Sequence, residues 1–213
     1  MIEEDGGVLA AFKYLILLSV SSKQDNSSDF LSEQGITLPT DFNLFDLSLS
    51  IKEFVGKEQD SKEYSAFAIQ SMIDTVCEWS KKNELQQTLI FDSNKNSFDA
   101  WKNAADGSGF CELSRIFFSK FTERYLKYFL EREASTSIKS LYDRELFLEK
   151  LENHVQDISK HAFETAKIIQ SLSAGWFNKR AMDKIPSEKE VKGFLSFAFQ
   201  KINSELIREE NIG

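Results

Sequence analysis

The chain has 213 residues, 41% hydrophobic and 28% charged, which excludes a disordered polymer and allows one domain with a sizeable core or two small ones. Two prolines and nine glycines leave long uninterrupted segments, an argument for helices over many short strands and turns. The formal net charge of −8 argues against a free duplex-binding protein, which needs a basic face, and two cysteines, Cys77 and Cys111, in apolar helical contexts argue against a disulfide framework or a cysteine zinc site.

The first apolar run, GVLAAFKYLILLSVSS at 7–22, has the length of a signal-peptide apolar region. Its leader MIEEDGG is acidic where a signal requires basic residues, and Lys13 interrupts it. It reads as a buried helix over 8–22, and the location as cytoplasmic. The polar stretch 22–41, with Gly35 and Pro39, reads as a long connection. NLFDLSLSIKEFVG then places Leu44, Leu47, Ile51, Phe54 and Val55 at helical spacing, closed by Gly56. Asp60 and Glu63 suit a capping box for a helix near 61–82, whose apolar side carries Phe67, Ile69, Met72, Ile73, Val76 and Trp79. In the segment that follows, TLIFD at 88–92 suits a short strand or a buried loop. Ser97 opens a short helix that ends at DGSG.

The stretch GFCELSRIFFSKFTERYLKYFLERE predicts a helix near 110–133. Its rings, from Phe110 to Phe129, share one broad side with Leu113, which points to core packing. Ile116, Leu126 and Leu130 lie round the back among Glu112, Ser119 and Glu123. This second stripe marks a helix covered on two sides, so the three are candidate partner-binding residues. ASTS at 134–137 predicts a break. From there to about 181, Leu141, Leu148, Val155, Ala162, Ile169 and Trp176 recur every seven residues, with Leu151, Ile158, Thr165 and Leu172 offset by three. A last helix starts from the Ser187–Glu190 capping box and buries Val191, Phe194, Leu195, Ala198, Ile202 and Leu206.

Few side chains suggest chemistry. His154 and His161 share one side of the long helix, with Asp157 between them, but Leu151 and Ile158 stand where a Glu-x-x-His metal unit needs carboxylates. ADGSGFCE offers the amides of Gly107 to Gly109 to an anion, without the Lys-Ser/Thr that a phosphate loop requires; a tight turn before a helix is the simpler reading. Trp176, Lys179, Arg180 and Lys184 bring a ring beside cations, an arrangement that suits single-stranded nucleic acid or, more simply, a helix C-terminus.

The sequence therefore predicts an all-α fold, an irregular antiparallel helical bundle of about six to seven helices with one long heptad-patterned helix. It reads as a single helical domain over 1–213, with the helices of 1–56 packed peripherally or on a partner and 60–213 forming the main bundle. The function expected is that of a non-catalytic interaction subunit of a larger cytosolic multi-protein assembly, with protein partners, no membrane and no cofactor or metal. The alternatives are a nucleic-acid-contacting accessory module at 176–184 and an enzyme with a site around His154 and His161.

Overall fold

The computed structural model describes residues 2–58, 62–87, 97–165, 167–182 and 184–210. Among them the chain is all helical, with no strand. The α-helices are α1 (Gly6–Ser21), α2 (Ser27–Glu33), α3 (Leu44–Gly56), α4 (Lys62–Gln87), α5 (Gly107–Ser137), α6 (Leu141–Thr165), α7 (Lys167–Arg180) and α8 (Glu188–Glu210), with 3-10 helices at Ile2–Glu4 and Asp99–Ala105. They form an irregular bundle, as expected. The expected cap at Asp60 and the TLIFD segment lie outside the described residues.

The placement of the N-terminal helices differs from expectation. α1 is the central element, burying 13 of its 16 residues. It touches α2, α3, α4, α5, α8 and both 3-10 helices. The cause is in its composition: a helix apolar on nearly every side has no face to give to water and must be wrapped. Phe12 is fully buried, its ring centroid 5.9 Å from that of Phe110, 5.7 Å from Phe117, 5.5 Å from Phe118 and 5.2 Å from Phe194. Burying such a ring stabilises the fold by about 1.5–3 kcal/mol. Asp5 caps α1, accepting the Val8 N–H at 3.0 Å. The buried hydroxyls of Ser19 and Ser21 donate back to the carbonyls of Leu15 and Leu18, each at 2.8 Å, so polar atoms enter the core already paired. Among the described residues no helix is long and apolar enough to cross a membrane.

The stretch 22–41 is more ordered than a plain connection. Asn26 caps α2 by accepting the Asp29 N–H, and Leu31, Ile36, Leu38 and Phe42 are buried in the core. Apolar residues spaced along a polar segment pin it at intervals, a pattern with no single helical period to reveal it. α3 begins with a full capping box, Asn43 with Asp46.

α4 and α5 run antiparallel, and charged pairs set their register. Arg124 pairs with Asp74, Lys120 Nζ lies 3.9 Å from Glu78, and Lys82 pairs with Glu112. Each such half-exposed pair contributes roughly 0–1 kcal/mol, so the ladder specifies alignment more than stability. α5 does not break at ASTS but continues to Ser137. Ala134 is buried, and Ser135 and Thr136 donate to the carbonyls of Glu131 and Glu133 inside the helix, so their hydroxyls are satisfied without ending it.

The long pattern expected from 139 to 181 is described as α6 and α7, on either side of residue 166. Both pack along α5. Leu151 and Val155 of the seam are buried, and Phe177 stacks on Phe110 at 4.3 Å and 20°. The seam thus closes within the chain at Leu151 and Val155. α8 starts from the predicted box, the Ser187 N–H donating to the Glu190 carboxylate at 2.8 Å.

Candidate interaction surface

The seam's first residue behaves differently from Leu151 and Val155. Leu141 is 69% exposed and its neighbour Tyr142 is 74% exposed. Leu146 and Phe147 on α6, and Phe129 and Leu130 at the end of α5, also face solvent. These six large apolar side chains sit on one structural unit, the tip of the α5–α6 hairpin. Single exposed leucines are ordinary on a protein surface. Six within one hairpin, interleaved with charged residues, make this the candidate interaction surface.

The tip is held in shape by its own chemistry. The Arg144 guanidinium donates to the carbonyls of Ser135 at 3.1 Å and Ile138 at 2.8 Å, satisfying acceptors that the end of α5 leaves without helical partners. Across the turn, the Asp143 N–H donates to the Ser140 hydroxyl at 3.3 Å, starting α6. Behind the tip a chain of rings leads to the core. Phe67 meets Tyr128 at 5.3 Å, and Phe129 meets Tyr128 at 5.1 Å and Tyr125 at 4.8 Å. From 127 to 150 the sequence carries Lys127, Arg132, Lys139, Arg144 and Lys150 against Glu131, Glu133, Asp143, Glu145 and Glu149, so this region is neutral within a chain of net charge −8.

The candidate stripe of Ile116, Leu126 and Leu130 is not one surface. Ile116 is only 4% exposed, Leu126 is half-buried, and Leu130 alone is open and belongs to the tip. The helical wheel sets the three within one sector, but α6 and α7 also pack along α5, and nothing in α5's own sequence says where that cover ends. Tyr142, Leu146 and Phe147 were missed. Their signal was present: LYDRELFLEKL has apolar residues on more than one side of its helix, more than a single seam uses.

The aromatic and basic cluster at 176–184 is likewise dispersed. The Trp176 indole turns inward, stacked 6.2 Å from Phe110 and tilted 4.8 Å from Phe194, so its face is not offered to a base. Arg180 pairs with Glu190 at 2.8 Å, and Lys184 Nζ lies 3.6 Å from the same carboxylate, while Lys179 is exposed. The amide of Gly109 donates to Asp106 at 2.8 Å, so the helix start at DGSG is self-capped rather than open to an anion. His154 is exposed on α6, and the side chain of His161 lies outside the described residues. Among the described residues no three His, Cys, Asp or Glu side chains gather as a metal site. Cys77 and Cys111 are free and half-buried. Burial pushes both thiols up, with Asp74 adding at Cys77 and Arg115 opposing at Cys111, which keeps them protonated rather than nucleophilic. No family model matches the chain, and neither does any curated protein or solved structure.

Proposed function

We propose that this protein is a non-catalytic helical interaction subunit of a larger cytoplasmic multi-protein assembly, and that it engages a protein partner through the tip of the α5–α6 hairpin. The observation that carries this reading is the exposure of Phe129, Leu130, Leu141, Tyr142, Leu146 and Phe147 on the two helices of a hairpin whose turn is held by Arg144. A rigid apolar tip loses little conformational entropy on docking, and its aromatic residues are of the type that dominates interface energetics. The neutral charge balance around it permits close approach by a partner despite the acidic body. Trp176, Arg180 and Lys184 have intramolecular partners, so the nucleic-acid alternative at 176–184 has less to support it than the hairpin tip.

The test is purification of the protein from its native source with its partners, followed by size-exclusion chromatography with light scattering. The wild type is expected in a species heavier than the single chain. The Leu141→Glu, Tyr142→Glu double variant is expected to run as a free chain with an unchanged melting curve. A wild type that is monomeric without partners, or a double variant that stays in the assembly, sinks the reading.

A further inference from the structure

A surface cavity of about 400 Å³ lies away from the hairpin turn, between the first 3-10 helix, α4, α5 and α8. Tyr64, Phe121, Tyr125 and Phe199 contribute its aromatic lining. The Tyr64 and Tyr125 centroids are 6.2 Å apart, and those of Phe121 and Phe199 are 5.3 Å apart, tilted at 57°. Ring faces carry partial negative charge and attract cations. Burial, with Tyr64 beside it, pushes the Tyr125 phenol up, so that ring stays neutral across the physiological range.

Glu3 is the one formally charged residue among the described lining, and Thr122, Gln200 and Asn203 add only neutral polar groups. Another cleft, about 580 Å³ beside Lys13, makes the contrast. There Lys13, Lys57 and Lys192 are matched by Glu4, Glu58 and Glu188, so the lining has no net sign. The aromatic cavity has a sign: among its described lining residues stand a carboxylate and rings, and no ammonium. A bare ammonium entering it would lose water that these rings cannot replace. An alkylated ammonium is weakly hydrated, and its methyl groups suit apolar walls.

We propose that this cavity binds an alkylated ammonium group, with the methyl groups against the rings and the charge towards Glu3. The proposal stands independently of the hairpin tip. It is tested by titrating the full chain with choline and with its neutral carbon isostere, dimethylbutanol, followed by NMR shifts of the Tyr64 and Tyr125 rings. Choline is expected to saturate at roughly a tenth or less of the concentration the isostere requires. Glu3→Gln, which leaves the core untouched, and Tyr125→Leu are each expected to weaken choline severalfold. A peptide bearing trimethyllysine forms the third arm: tighter binding than choline assigns the ammonium to a protein side chain, and weaker binding assigns it to a free small molecule. Equal binding of choline and the isostere, no binding by either ammonium, or choline binding unchanged in both variants overturns the proposal.

Discussion

Phe12 on α1 and Phe147 on α6 are the same side chain on two helices, yet Phe12 is fully enclosed and Phe147 keeps 36% of its surface in water. The difference lies in how many elements surround each helix. α1 has neighbours on every side, whereas the first turns of α6 lie at the end of a hairpin where only a few side chains are even half-buried. Apolar sequence states a demand for cover, and that demand is met inside the chain at α1 and left unmet by the chain at the tip.

The largest test of this contrast is a pair of truncations. Phe12→Ala removes a ring packed against four others and is expected to cost about 3–5 kcal/mol. Phe147→Ala is expected to change stability by no more than about 0.5 kcal/mol. Urea unfolding of both variants checks the pair, and equal losses would erase the distinction between body and tip. Next in size is Gly7→Ala, where the new Cβ would stand 2.1 Å from Ser65 Oγ and 3.0 Å from its Cα. Overpacking of α1 against α4 is expected to cost about 1–3 kcal/mol, with part of the loss recovered in the Gly7→Ala, Ser65→Gly double variant.

Arg144→Met sharpens the other half of the contrast. It frees the carbonyls of Ser135 and Ile138 and is expected to loosen the tip by about 1 kcal/mol, seen as faster amide exchange there while α1 stays protected. The smallest effect concerns pH. The Ser187 backbone N–H, then its hydroxyl, then Lys184 and Arg180 hold the Glu190 carboxyl below the usual carboxylate range. A carboxyl lowered in the folded state contributes stability above its unfolded pKa and loses that contribution as pH falls through the folded value. Glu190→Gln is therefore expected to flatten part of the acid limb of a stability-versus-pH curve, with little change in the slope near neutrality.

Much of the fold was legible because its signals are local. Ser187 and Glu190 announced the start of α8, Leu47, Ile51 and Val55 the buried side of α3, and the ring-rich side of α5 its role in the core. The candidate site was legible only at Leu130. Leu141 was read as the first residue of a seam whose later members Leu151 and Val155 are buried, and a heptad repeat does not mark where its partner helix stops. ASTS misled for a related reason: Ser and Thr end a helix when their hydroxyls compete for its backbone, yet here Ser135 and Thr136 bond back into α5.

By itself, then, the sequence determined the helical class, most helix positions and their caps, since periodicity and capping act within a few residues along the chain. Only the tertiary structure decided that α1 is the centre, that Ile116 and Trp176 face inward, and that the hairpin tip stands uncovered. Burial is a property of the neighbours a side chain meets, and those neighbours come from helices far away in sequence.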